Sequence, residues 1–124
     1  MKSLFLSILL FGASLLVDDE ANIHFDTLVL NYGTVNEGDD AIFSFRFSNT
    51  GGAPLIIQDV ETPCGCTVPE FPKHPIAPGD TGIINIIYHS KGKVGRFDKS
   101  LTVVSNAKDG AIRLRITGKV VQKP

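Results

Sequence analysis

The sequence predicts an all-β domain, a sandwich of about seven short strands. Three observations carry that prediction. Ala41, Phe43, Phe45 and Phe47 alternate with Ile42, Ser44, Arg46 and Ser48, which is the period of a strand with one buried face. Further apolar runs recur along the chain and are divided by clusters of Gly, Pro, Asn and Asp, residues that reverse or interrupt regular backbone. Beyond Val17 no stretch sets its apolar residues at helical spacing, so a helix would have no stripe to bury. With 124 residues, 43% of them apolar, the chain has room for one domain with an ordinary core.

Taken in order, Ile23, Phe25 and Leu28 to Leu30 form a first β segment, which Asn31-Tyr32-Gly33-Thr34-Val35 prolongs to a turn cluster at Asn36-Glu37-Gly38-Asp39. A hairpin-like reversal is expected there. The alternating strand follows; a helix would scatter its phenylalanines around a cylinder. Asn49-Thr50-Gly51-Gly52 supplies residues that tolerate positive φ, and Pro54 opens the next segment, Leu55 to Val60, in extended backbone. Pro63, Gly65 and Pro69 argue against a regular central strand through the next stretch, and Glu70 to Ile76 reads as an irregular crossover. Ala77-Pro78-Gly79-Asp80 is a turn.

Gly82 to His89 places Ile84, Ile86 and Tyr88 on one face and Ile83, Asn85, Ile87 and His89 on the other. Both faces are rather apolar, so partial cover of the outer side is expected. After a loop over Ser90 to Gly95, Phe97, Lys99, Leu101 and Val103 alternate with Arg96, Asp98, Ser100, Thr102 and Val104. A turn from Ser105 to Gly110 leads into Ile112, Leu114 and Ile116, alternating with Arg113, Arg115 and Thr117. The expected core is Phe43, Phe45, Phe47, Leu55, Ile57, Ile84, Ile86, Tyr88, Leu101, Val103, Leu114 and Ile116.

The N-terminal residues have the build of a secretory signal over 1–17: Lys2, an apolar run from Leu4 to Val17, then Asp18-Asp19-Glu20. Cleavage is expected near Ala13 or Ser14, with residues 18–124 as the domain; the alternative is an uncleaved anchor, although the run is shorter than the ~20 residues a spanning helix needs. A lipoprotein is not expected, since no cysteine follows the run. Export to the periplasm or beyond puts Cys64 and Cys66 where free thiols seldom persist. The formal net charge of −1 gives no reason to expect nucleic acid or an anionic membrane as partner. Acidic residues dominate from Asp18 to His89 and basic ones from Lys91 onward.

The ordered series Asn31-Tyr32-Gly33-Thr34-Val35, Glu37-Gly38, Phe45-Arg46-Phe47-Ser48-Asn49-Thr50-Gly51, Pro54-Leu55, Cys64-Gly65-Cys66-Thr67, Pro78-Gly79-Asp80, Gly95-Arg96-Phe97 and Ile116-Thr117-Gly118 resembles the bacterial domain-of-unknown-function family 1573. It covers nearly all of the chain after the leader. That family is similar to the immunoglobulin-like domains of the ASPM/SPD-2/Hydin and major-sperm-protein group. The resemblance implies an exported immunoglobulin-like module and brings no established activity with it.

Chemistry concentrates first in Pro63-Cys64-Gly65-Cys66-Thr67, which holds both cysteines of the chain. In extended backbone their side chains point to the same side. The pair could close into a small, readily reduced ring suited to thiol–disulfide exchange, or serve a passive structural role. It could instead grip Cu(I) or Zn(II) with His74 or His89 as further ligands, although two thiolates alone are too few for structural zinc. Pairing with cysteines of another chain would give a linked oligomer. A lone His on a mostly apolar strand, as His89 is, is more often a surface or satisfied residue than a ligand, and His24 and His74 are weaker candidates. No phosphate-binding Gly-rich loop is present, no nucleophile-and-base set can be read from linear spacing, and a non-enzyme without cofactor is expected.

The second concentration is basic. Arg113, Arg115 and Lys119 share the outer parity of the last strand, and Arg96 joins them if the last two strands form a hairpin. These residues form a strip for an acidic partner, a polysaccharide or another envelope or extracellular protein, or they keep an exposed strand from pairing with neighbours. The expected function is a binding or structural module acting by surface contact or by strand addition at a sheet edge.

Overall fold

The computed structural model describes residues 19–124. The leader expected over 1–17 lies outside the described residues. Eight strands follow one another: β1 (Ile23–Phe25), β2 (Val29–Asn36), β3 (Asp40–Asn49), β4 (Ile57–Glu61), β5 (Thr67–Glu70), β6 (Thr81–His89), β7 (Gly95–Ser105) and β8 (Ile112–Val121). They form two four-stranded sheets, ordered β1-β3-β6-β5 and β2-β8-β7-β4.

Alternation along the strands sets what meets between the sheets. In the first sheet Phe43 lies opposite Ile86 and Phe45 opposite Ile84; in the second Leu101 lies opposite Leu114. Every residue expected in the core is buried, with Phe45, Phe47, Leu55, Ile84, Ile86, Leu114 and Ile116 at 0% exposure. Each such side chain contributes about 1.5–3 kcal/mol of transfer free energy, which makes the double layer the source of stability.

The first β segment departs from its expected course. It splits at Asp26-Thr27-Leu28, so that β1 pairs with β3 in one sheet and β2 runs parallel to β8 in the other. The reversal at residues 36–39 therefore crosses between sheets and does not close a hairpin. Its two sides are tied to different layers: Glu37 N–H donates to Val121 O at 2.8 Å, and Gly38 N–H to Ser90 Oγ at 2.9 Å. The fourth strand begins at Ile57, while Leu55 forms an isolated bridge with Ile76. Part of the stretch beyond the cysteines is regular after all. It is β5, an edge strand, where Pro69 is tolerated because its missing N–H faces no partner. The outer face of the first sheet is open, with Ile83 on β6 50% exposed and Ile42 on β3, opposite Ile87, 58% exposed.

The four sheet edges are poor templates for an added strand. β1 has three residues and β5 four, with Pro69 among them. β2 is irregular between Asn31 and Thr34, and β4 between Ile57 and Asp59. Short, bulged or proline-bearing edges resist pairing, which favours contact through a face over strand addition.

Candidate functional site

A groove opens on the outer face of the second sheet, where β2 bulges against β8. Asn31 pairs with Thr117 and Thr34 with Lys119, so Tyr32 and Gly33 together oppose the single residue Gly118. An extra residue on one strand bends it and re-aims its neighbours. Gly33 adopts φ of 89°, and its N–H donates to Asn31 Oδ1 at 2.9 Å; glycine meets that conformation without a Cβ penalty. Opposite it, a Cβ on Gly118 would lie 2.6 Å from the Phe97 ring and 3.3 Å from Gly33 O, so only glycine lets β2, β8 and the ring approach as they do.

The resulting cavity has a volume of about 500 Å³ and is lined by Asn31, Gly33, Thr34, Arg96, Phe97, Asp98, Thr117, Gly118 and Lys119. Its floor is aromatic and rigidly stacked. Phe97 lies 4.2 Å from Tyr88, centroid to centroid, and edge-on to Phe43 at 6.2 Å, and Phe43 in turn meets Tyr32 at 5.7 Å. Such pairs add about 0.5–1.5 kcal/mol each beyond their burial. Burial also raises the Tyr88 phenol above its ordinary range.

The walls carry charge. Arg96 and Lys119 are direct register partners on β7 and β8 and both are exposed. Asp98 is the one carboxylate among the lining residues, and it is already engaged: Arg115 Nε donates to Asp98 Oδ1 and Nη2 to Oδ2, both at 2.8 Å. The hydrogen bond from Arg115, more than its charge, holds the Asp98 carboxyl below the usual aspartate range. Arg115 thus engages both oxygens of Asp98 in a bidentate pair, and Arg96 and Lys119 are the cations among the lining residues.

The expected basic strip is thus resolved into separate roles. The hairpin of β7 and β8 brings Arg96 beside Lys119 as anticipated. Arg115 is turned to Asp98, and Arg113, opposite Thr102, lies on the same face but outside the cavity. The alternative of edge protection does not hold, because β8 is internal, flanked by β2 and β7. The sequence reading missed Asn31, Thr34, Asp98 and Thr117. Asp98 and Thr117 were legible as outer-parity positions, whereas the β2 residues needed a pairing that no local signal announces.

The cysteines lie elsewhere, in the turn that enters β5. Cys64 and Cys66 form an intrachain disulfide with Cα atoms 5.3 Å apart, which replaces the expected alternative of bonds to another chain. Both are half-buried, on either side of exposed Gly65. His89 N–H donates to Cys66 O at 2.8 Å, while its imidazole Nδ1 lies 2.7 Å from Asp40 Oδ1 on the other neighbouring strand. His74 is exposed in the β5–β6 connection, next to Lys73, whose ammonium sits 3.4 Å above the Phe71 ring. Among the described residues no group of three or more His, Cys, Asp or Glu gathers around a common point, and ligation by the sulfurs would require prior reduction.

Two packed four-stranded sheets and no helix among the described residues define an immunoglobulin-like β-sandwich, a scaffold compatible with a binding or structural module. A family model described as protein of unknown function (DUF1573) matches residues 23–120, and the chain belongs to that family. No curated protein matches it. Among solved structures, a protein of unknown function from Porphyromonas gingivalis W83 is similar at TM-score 0.71 and 14% identity, over 88% of this chain and 51% of that one. This chain therefore spans about half of that relative's length. The human CEP192 ASH/PapD-like domain 7 is similar at TM-score 0.66 and 9% identity, over 85% and 89% of the two chains. The YadV chaperone is similar at 0.56 and 19%, over 83% and 53%. At these identities the likeness establishes the fold, and function has to be argued from the site.

Proposed function

We propose that the chain is an exported binding module of the bacterial envelope, which holds an acidic segment of another envelope or extracellular protein in the groove lined by Arg96 and Lys119. The observation that carries this reading is the groove itself: two cations side by side on central strands line a cavity of about 500 Å³ whose one lining carboxylate is already paired with Arg115. The side chains of Asn31, Thr34 and Thr117 add amide and hydroxyl groups that can bond to backbone or carboxylate oxygens. The blunted edges turn recognition to a face, and the PapD-like likeness of the scaffold agrees with a role in contacting protein. Export is supported by the leader pattern over 1–17 and by a disulfide suited to an oxidising compartment.

Affinity isolation from the source envelope, with the native chain and with Arg96→Glu/Lys119→Glu, tests the reading. The native chain should retain an acidic partner that is released by salt, and the variant should retain none. Equal recovery by both would remove the groove from recognition.

A further inference from the structure

The Cys64–Cys66 disulfide has features that stability does not explain. A cross-link contributes by restricting the unfolded chain, and its effect shrinks with the loop it closes; here one residue separates the two cysteines. The surrounding backbone is held by other means. Thr67 N–H donates to Cys64 O at 3.2 Å, His89 N–H to Cys66 O at 2.8 Å, and Thr62 Oγ1 to Cys64 O at 3.4 Å. These bonds anchor the turn to β6 and to itself, so the sulfur–sulfur bond can open while both cysteines keep their places.

The turn is also accessible and chemically prepared. Apart from its two chain neighbours, a Cβ built on Gly65 would meet no atom within 4 Å, and Gly65 is exposed with Cys64 and Cys66 half-buried on either side, so the glycine side of the ring faces solvent and an approaching thiol. Beneath it, Thr67 is 2% exposed, and its Oγ1 lies 3.7 Å from Cys64 Sγ and 3.7 Å from Cys66 Sγ. A hydroxyl carries a single proton, and this one can turn to whichever sulfur becomes the leaving thiolate. Donation to a developing thiolate lowers its basicity and speeds its departure.

We propose that Cys64 and Cys66 form a thiol–disulfide exchange site for protein dithiols, with Thr67 as the positioning residue that stabilises the leaving sulfur. A thiolate of the partner dithiol attacks one cysteine Sγ. A bond forms between those two sulfurs, the Cys64–Cys66 bond breaks, and its electron pair leaves on the other Sγ, which the Thr67 hydroxyl hydrogen-bonds. The partner's second thiolate then attacks the partner's own sulfur in the mixed disulfide, forming the partner's disulfide and releasing the second cysteine thiolate. Two electrons have passed from the partner to the pair, and the two protons lost by the partner's thiols end on Cys64 and Cys66. Run backwards, the same steps reduce a partner disulfide, so no further oxidant or reductant enters.

Glutathione is a sufficient probe. The folded full chain is incubated with reduced glutathione, quenched with a maleimide and weighed intact, with far-UV circular dichroism recorded in parallel. The pair should be reduced within minutes with the β spectrum unchanged, and oxidised glutathione should restore it. Thr67→Val should slow reduction about tenfold, the worth of a hydrogen bond to a charged group, and Thr67→Ser should keep the native rate. A disulfide that persists in excess glutathione until the domain is unfolded would overturn the exchange site. Equal rates for Thr67→Val, Thr67→Ser and the native chain would overturn the part assigned to Thr67.

Discussion

The groove draws its walls from β2, β8 and β7, three neighbouring strands of which β7 and β8 share an unbroken ladder and β2 bulges against β8, whereas Cys64 and Cys66 sit in a turn at the mouth of a four-residue edge strand. In the groove the backbone is the rigid part and charge is distributed by register: Arg96 beside Lys119, Arg115 locked onto Asp98. At the tip a few hydrogen bonds hold the turn, and the reactive bond itself adds little to the fold. In the proposed reading the same sandwich presents a preorganised recognition surface on a sheet face and a changeable covalent bond at a sheet edge. Rigidity favours the first, because side chains already in place lose less freedom on binding. Local independence favours the second.

The largest expected effect breaks the groove. Arg96→Glu/Lys119→Glu should weaken binding of a glutamate-rich peptide about a hundredfold or more in a calorimetric titration, since each lost charge-assisted hydrogen bond is worth about 1.5–3 kcal/mol. Arg113→Glu, outside the cavity, should change affinity by less than about twofold. Next comes the floor. Gly118→Ala presses a methyl group into the Phe97 ring at 2.6 Å and should cost about 1–3 kcal/mol in denaturant unfolding. A neutral result would mean that the Phe97–Tyr88 stack yields easily.

The tip should respond less. Cys64→Ser/Cys66→Ser should cost about 1.5 kcal/mol or less in the same unfolding experiment, because the loop released is so short; a larger loss would make the disulfide structural. The smallest effect sharpens the electrostatics. Asp98→Asn frees Arg115 and should tighten binding of the acidic peptide about threefold. The Asp98 carboxyl is held below its usual range by the Arg115 hydrogen bond. The stabilisation from that pair is therefore present above the ordinary aspartate range and lost only as pH falls through the lowered value. Between about pH 8 and 5 it should leave both stability and binding flat.

How much of this was legible depends on where the signal is stored. Strict alternation at Phe43, Phe45 and Phe47 exposed β3 and its inner face, and the parity of Arg96 and Lys119 anticipated that a hairpin would bring them together. Neither the parallel pairing of β2 with β8 nor the bulge at Tyr32-Gly33 has a local mark, because both are made by strands from opposite ends of the chain. That pairing turned β8 from a suspected edge into a centre strand, which removed edge protection as an explanation for its charges. The Cys-Gly-Cys spacing showed that the thiols were close, but their oxidation state and the Thr67 hydroxyl between them needed three dimensions.

The central claim is that recognition uses the groove on the second sheet and not the open face of the first, where Ile42, Ile83 and Val68 are exposed. Amide chemical-shift mapping of the labelled domain during titration with the glutamate-rich peptide reads this directly. The predicted result is a salt-sensitive set of shifts at Asn31, Thr34, Arg96, Thr117 and Lys119. Shifts gathered instead around Ile42, Ile83 and Val68, with the groove residues unmoved, would contradict it.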